Sequence, residues 1–135
     1  MKIVIIDGQG GRVGALLCET IKAALPDLTL LAIGTNATAT AAMLRAGADA
    51  GATGENPVIV AARDADVIIG PIGIMAADAL LGEVTPAMAT AVGACRAEKL
   101  LLPLCRCGHR VVGTKPLSVT ELVAEAVETL KSLLP

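Results

Sequence analysis

The sequence contains no aromatic residue, since Phe, Tyr and Trp are all absent from its 135 residues. No side chain can therefore stack against a nucleic-acid base or a flavin ring. The core has to be filled by Leu, Ile, Val, Met and Ala, so we expect helices and strands to approach one another closely. Hydrophobic residues make up 54% of the chain. This composition predicts one globular domain spanning residues 1–135.

A strong net charge and a long hydrophobic run are also missing. The net charge of -2 offers no basic face, so we expect no nucleic-acid partner. The longest apolar region, residues 67–81, is interrupted by glycine, proline and Asp78, and it is too short to span a membrane. The start MKIVIID is too short for the core of a signal peptide. We therefore expect a soluble, cytoplasmic protein whose four cysteines are reduced thiols.

Short β-branched segments alternate with longer helical patterns along the chain, and no linker interrupts them. This alternation predicts an α/β domain, a three-layer Rossmann-like open sheet with helices on both faces. Strands are expected at residues 2–6, 29–33, 67–70 and 99–104, with a brief further strand at 50–53. Their nearly continuous apolar character is typical of parallel strands.

Helices are predicted from apolar periodicity and from capping residues. Residues 12–25 carry an apolar stripe that Pro26 closes, and Ser118 with Glu121 forms a capping box before the last helix. Three further starts are marked by Gly34-Thr35-Asn36, by Asn56-Pro57 and by Thr85-Pro86. They predict helices that end near residues 46, 62 and 97.

The segment after the strand at residues 99–104 predicts a change of strand direction. Residues 105–109 are too few to cross over the sheet. We therefore predict that residues 110–113 return as an antiparallel edge strand. The sheet would then be mostly parallel, with one antiparallel edge strand near the C-terminus.

Two internal helices lack a charged face, because residues 37–44 and 87–95 contain only threonine as a polar residue. A helix on the surface of a lone domain normally carries a charged face. We therefore predict a homo-oligomer in which one or both helices contact a partner subunit. The alternative is an alanine-rich surface that tolerates exposure to water.

The segment IDGQGGRVG joins the first strand to the first helix. The usual dinucleotide fingerprint, G-x-G-x-x-G, would require glycine in place of Val13. The glycines of this segment fit a variant spacing, G-x-x-G-x-x-G. Free N–H groups at the start of the helix attract anions, and Arg12 adds a positive charge there. The predicted ligand-binding residues of this turn are Gly8, Gln9, Gly10, Gly11, Arg12, Val13 and Gly14. A structural turn without a ligand is the alternative.

Open parallel sheets bind ligands at the carboxyl ends of their strands, at the point where the strand order reverses. We expect this point between the first and fourth strands, where the crevice would be completed by Gly34, Thr35, Asn36, Gly70, Pro71, Ile72 and Gly73. The expected cofactor is NAD(P) or another nucleotide. Two features oppose it. No acidic residue ends the second strand, where ribose hydroxyls are usually held, and Asp7 would repel phosphate unless it points aside, caps backbone amides or shares a cation.

Four segments together resemble an uncharacterised bacterial family catalogued as domain of unknown function 3842: IDGQGGRVG, GTNATATAAMLRAGADAGATGEN, VIIGPIGIMAADALLGEVTPAMA and LLPLCRC. The resemblance covers nearly the whole chain, and it implies a Rossmann-like fold without a specific activity. GQGGRVG is also similar to the glycine turn of dihydrodipicolinate reductases, which bind NAD(P)H. The chain is too short for their substrate domain, so their reaction is not implied.

Other candidate chemistry is weaker. Cys105, Cys107 and His109 would share one face of an extended strand and could hold a metal, but a fourth ligand is missing, so an ordinary edge hairpin is favoured. Glu55 and Glu83 are loop carboxylates that either reach the crevice or only cap helices.

The sequence leaves two functions open for the protein. The protein binds a nucleotide, dinucleotide or other phosphate-bearing ligand, or it is a non-catalytic oligomeric regulatory or scaffold protein.

Overall fold

A computed structural model describes residues 1–104 and 108–135. The described chain forms five strands and five α-helices, close to their predicted positions. The strands are β1 (Ile3–Asp7), β2 (Leu30–Gly34), β3 (Ala50–Thr53), β4 (Val67–Pro71) and β5 (Glu98–Leu102). The helices are α1 (Arg12–Ala24), α2 (Ala37–Arg45), α3 (Glu55–Ala62), α4 (Pro86–Ala94) and α5 (Val119–Leu133), and a short 3₁₀-helix spans Ile72–Met75.

The five strands form one parallel sheet in the order β3-β2-β1-β4-β5. The chain first moves outward from β1 to β3 and then returns to β4 on the other side of β1. This order is that of the first five strands of a Rossmann fold, and its switch point lies between β1 and β4. The carboxyl ends of β1 and β4 therefore border the expected crevice.

Both faces of the sheet are covered, which explains the continuous apolar runs in the central strands. In β1, Ile3 and Ile5 pack into the core beneath α1, α2 and α5, whereas Val4 and Ile6 pack into the core beneath α3 and α4. Successive side chains of a strand point to opposite faces, so every position of β1 is buried.

The predicted antiparallel strand at residues 110–113 is wrong. The edge strand is β5, which pairs with β4 in parallel, and residues 110–113 form an exposed turn. Val112 is 97% exposed and Gly113 has a φ of 89°. The segment offers only two adjacent valines, which point to opposite faces of any strand and cannot form an apolar face. The chain instead leads to α5, which packs against α1 and β5.

The two helices without a charged face are half-exposed in the single chain. The outward side of α4 consists of Pro86, Ala87, Thr90, Gly93 and Ala94, and the outward side of α2 includes Thr38, Leu44 and Arg45. Their predicted contact with a partner subunit stays a prediction. None of the helices formed by residues 1–104 and 108–135 has the length and apolar character needed to cross a membrane.

Candidate ligand-binding site

A cavity of about 650 Å³ lies at the carboxyl edge of the sheet, beside the switch point. This volume is within the range of roughly 300–1,000 Å³ that is typical of small-molecule sites. The turn between β1 and α1 forms one wall. The other walls are formed by the carboxyl end of β4, the loop after it, residue 104 and the start of α5. The lining residues are Asp7, Gly8, Gln9, Gly10, Gly11, Arg12, Val13, Ala15, Leu16, Glu19, Pro71, Gly73, Leu80, Leu104 and Val119.

Gly11 sets the shape of the turn. It has a φ of 71° and precedes the first residue of α1, and no side chain caps the helix there. A Cβ atom on Gly11 would lie 2.7 Å from the Cα atom of Ala39, so α2 also requires glycine at this position. The Gly11 N–H donates to the carbonyl of Gly8 at 2.9 Å, which closes a tight turn. The N-cap position of α1 therefore carries no capping side chain of its own.

Asp7 ties the turn to α1 from the inner side. Its Oδ1 accepts from the Gly8 N–H at 2.8 Å and its Oδ2 from the Gly14 N–H at 2.7 Å. Only 4% of Asp7 is exposed. Burial raises the pKa of Asp7 and the negative charge of Glu83 adds to that rise, whereas hydrogen bonds from backbone N–H groups oppose it. Of the three arrangements that the sequence left open for this carboxylate, the capping of backbone amides is the one found.

Other donors of the turn remain unpaired. The N–H groups of Gly10 and Arg12 donate to no acceptor within residues 1–104 and 108–135. The Arg12 side chain is exposed and forms no ion pair in that part of the chain. Gly10 and Arg12 both line the cavity, so two free amides and an arginine side chain lie beside the positively polarised end of α1.

Glu83 lies on the other side of the turn, next to the end of β2. Its Oε1 accepts from the Gln9 N–H at 2.8 Å, from Thr35 Oγ1 at 2.7 Å and from Asn36 Nδ2 at 2.7 Å. Partial burial would raise the pKa of Glu83, but these three hydrogen bonds outweigh it and lower the pKa below its ordinary value. Glu83 is therefore ionised and held in place near neutral pH.

The loop at residues 76–85, called the β4–α4 loop below, brings Glu83 to this position. Asp78, Leu80 and Leu81 all have left-handed backbone conformations, with φ values of 63°, 56° and 58°. Hydrogen bonds within the loop hold these conformations, among them the Asp78 N–H to the Val84 carbonyl at 2.7 Å. A Cβ atom on Gly8 would lie 2.6 Å from Leu80 Cδ1. The loop is therefore packed directly on the glycine turn.

All of the sequence-predicted site residues except Ile72 fall into three groups. Eight of them line the cavity: Gly8, Gln9, Gly10, Gly11, Arg12, Val13, Pro71 and Gly73. Thr35 and Asn36 bind Glu83 instead. Three glycines have structural contacts, since Gly14 donates to Asp7, Gly34 donates to Thr40, and a Cβ atom on Gly70 would lie 2.3 Å from the Ile6 carbonyl oxygen. Ile72 begins the 3₁₀-helix.

Several wall residues escaped the sequence analysis. Leu16 and Glu19 lie one and two turns along α1 from Arg12, so helical spacing could have indicated them. Leu80 and Leu104 carry no sequence signal that relates them to the turn, because their positions depend on a loop and on the end of an edge strand.

The remaining sequence candidates are Cys105, Cys107, His109 and Glu55. Cys105 and Cys107 lie outside the described residues, and His109 is exposed. Across residues 1–104 and 108–135, no group of three or more His, Cys, Asp or Glu side chains could hold a metal ion. Glu55 accepts a hydrogen bond from Thr85 Oγ1 at 2.7 Å, at the start of α4.

No curated protein and no solved structure matches the chain. The likeness to dihydrodipicolinate reductases thus remains a resemblance of the glycine turn. A family model described as a domain of unknown function, DUF3842, matches residues 2–135. Because the match covers nearly the whole chain, the protein belongs to the DUF3842 family.

Proposed function

We propose that the protein binds a small phosphate-bearing ligand, a nucleotide or dinucleotide, with its phosphate at the N-terminus of α1. One observation carries this proposal: Gly10 and Arg12, whose amides are unpaired in the described part of the chain, line a cavity at the switch point of the sheet. Helix N-termini stabilise anions through such amides and through the helix dipole. The Arg12 guanidinium adds an exposed positive charge.

The walls of the cavity favour an organic ligand over a free inorganic ion. Beyond the turn itself, the lining includes the apolar side chains of Leu16, Leu80, Leu104 and Val119, with Glu19 as a charged member. Such walls suit a base, a sugar face or another organic group, with specificity supplied by a few polar groups. NAD(P) or another nucleotide is therefore the cofactor class that we propose.

Asp7 does not oppose the binding of phosphate in the way that its sequence position suggested. Both of its carboxylate oxygens accept backbone N–H groups of the turn. Its negative charge is therefore partly balanced by these donors, and the donors of Gly10 and Arg12 remain free among the residues that the structure describes.

A thermal-shift series with NAD, NADP, ATP, FMN and inorganic phosphate tests the proposal. A ligand present at 100 times its Kd stabilises the folded protein by about 2.7 kcal/mol, so at least one nucleotide should raise the Tm by several degrees. The variant Arg12→Ala should weaken that ligand by about tenfold. Arg45→Ala, an exposed arginine in the last turn of α2, is the matched control and should bind as the parent does. A series in which no compound raises the Tm would contradict the proposal.

A second candidate function is a non-catalytic oligomeric scaffold or regulator, favoured by the uncharged outward side of α4. Light scattering after size-exclusion chromatography should then give a mass above that of one chain. Thr90→Glu on α4 should shift the protein towards the monomer, whereas Thr129→Glu, at an exposed position of α5, should not. A monomer at all concentrations would exclude this candidate.

A further inference from the structure

We infer that Glu83 selects the ribose of the bound nucleotide, and that the ligand carries a free 2′-hydroxyl group rather than a 2′-phosphate. This inference rests on the proposed nucleotide binding. In Rossmann-type sites, an acidic residue near the end of the second strand accepts hydrogen bonds from the ribose hydroxyls. The end of β2 has no such residue, since Gly34 is followed by Thr35 and Asn36.

Glu83 brings a carboxylate to this position from a different segment of the chain. Thr35 and Asn36 follow β2 directly, and both donate to Glu83 Oε1 at 2.7 Å. The Gln9 N–H donates to the same oxygen at 2.8 Å. The carboxylate is thereby fixed between the glycine turn and the end of β2. In Rossmann-type sites, the ribose lies at this position when the phosphate of the nucleotide binds at the N-terminus of α1.

The second carboxylate oxygen of Glu83 is available to a ligand. All three donors bind Oε1, and Oε2 accepts from no donor in the part of the chain that the structure describes. Glu83 is partly exposed. Since an ionised carboxylate only accepts hydrogen bonds, Oε2 fits a hydroxyl donor.

The charges around Glu83 disfavour a 2′-phosphate. None of the described lysines and arginines forms an ion pair with Glu83. Sites that accept a 2′-phosphate place an arginine there. A 2′-phosphate would therefore meet the Glu83 carboxylate without a compensating cation.

Isothermal titration calorimetry with NAD and NADP tests the inference, because the two compounds differ only by the 2′-phosphate. We expect the full chain to bind NAD at least about tenfold more tightly than NADP. Glu83→Gln should weaken NAD and bring the ratio of the two affinities close to one. Glu55→Gln is the matched control, because Glu55 also accepts a hydrogen bond from a threonine hydroxyl. This variant should keep the parent ratio of NAD and NADP affinities.

Two further measurements make the test independent of any single variant. The parent protein should bind ADP more tightly than 2′-deoxy-ADP, because the latter lacks the hydroxyl donor. Thr35→Ala removes one of the donors that orient Glu83 and should lower the NAD preference only in part.

The outcomes separate this inference from the proposed function. Binding of NADP by the parent protein as tightly as NAD, or more tightly, would overturn the inference. Tighter binding of both dinucleotides by the Glu83→Gln variant would also overturn it, since Glu83 would then obstruct the site. Binding of inorganic pyrophosphate without either dinucleotide would overturn the inference and leave phosphate binding intact. Absence of binding by every phosphate compound would overturn both.

Discussion

Gly14 shows how a single residue allows α1 to lie against the sheet. A Cβ atom at this position would lie 2.5 Å from Met43 Sδ and 2.8 Å from Asp7 Cβ. The close approach also lets the Gly14 N–H reach Asp7 Oδ2 at 2.7 Å. The absence of aromatic side chains predicted such close packing, and Gly14 is one of the places where it occurs.

Replacing Gly14 by alanine should therefore destabilise the protein. We expect Gly14→Ala to lower the free energy of unfolding by about 1–3 kcal/mol, because either Met43 or the turn must move. Gly93→Ala on α4 is the matched control, since a Cβ atom there meets nothing within 4 Å. Alanine in that exposed helical position should stabilise by about 0.5–1 kcal/mol. Urea denaturation measures both, and a Gly14→Ala variant as stable as the parent would refute the packing argument.

Cys18 provides a second test at the residue scale. It is fully buried in α1, and burial raises the pKa of its thiol to about 12. Because the thiolate is the reactive form, Cys18 should resist iodoacetamide at pH 8 in the folded protein. Cys95, which is partly exposed, should react faster. Mass spectrometry of the digested protein reports each cysteine, and modification of Cys18 at the rate of Cys95 would contradict the buried environment.

Single residues were predictable from the sequence where their role is local. The glycine spacing of the turn and the possible capping role of Asp7 follow from neighbours in the chain. Glu83 was named from the sequence as a loop carboxylate that could reach the crevice. Its partners were not predictable, because they lie 47, 48 and 74 positions away and depend on three left-handed residues in the β4–α4 loop.

At the scale of elements, α5 links the stability of the fold to the site. Its first residue, Val119, lines the cavity, and its apolar stripe packs on the sheet beside α1. Ser118 Oγ accepts from the Glu121 N–H at 3.1 Å, and Glu121 Oε1 accepts from the Ser118 N–H at 3.1 Å. This capping box, read from the sequence, fixes where α5 begins.

Removal of the cap should loosen the start of α5. We expect Ser118→Ala to lower the free energy of unfolding by about 1 kcal/mol, because the amide of Glu121 loses its acceptor. Ser132→Ala, in the last turn of the same helix, should change stability by less than about 0.5 kcal/mol. Urea denaturation of both variants checks this, and equal effects of the two substitutions would show that the capping box is not what stabilises α5.

Elements with strong local signals were predicted correctly. The antiparallel strand at residues 110–113, which had no such signal, was predicted wrongly. Apolar periodicity and capping residues indicated the helices, and β-branched runs indicated the strands. The antiparallel strand was inferred only from the shortness of residues 105–109. That argument assumed that the chain must return to the sheet, whereas it leads to a helix that covers β5.

At the scale of the whole molecule, the strand order decides where a ligand can bind. The order β3-β2-β1-β4-β5 brings the turn after β1 beside the end of β4, and the cavity lies at this junction. The sequence predicted the junction from the alternation of elements. It could not predict that the β4–α4 loop would pack on Gly8 and leave Thr35 and Asn36 outside the cavity, because that arrangement depends on tertiary contacts.

The most direct test of the account is a titration of the ¹⁵N-labelled protein with NAD and with inorganic pyrophosphate, followed by NMR. The amide signals of Gly10 and Arg12 should shift most, because a phosphate would bind at these free N–H groups. Amides of α3, which lies beneath the opposite face of the sheet, should stay unchanged. Shifts that bypass the turn, or spectra that remain unchanged with both compounds, would contradict phosphate binding at the N-terminus of α1.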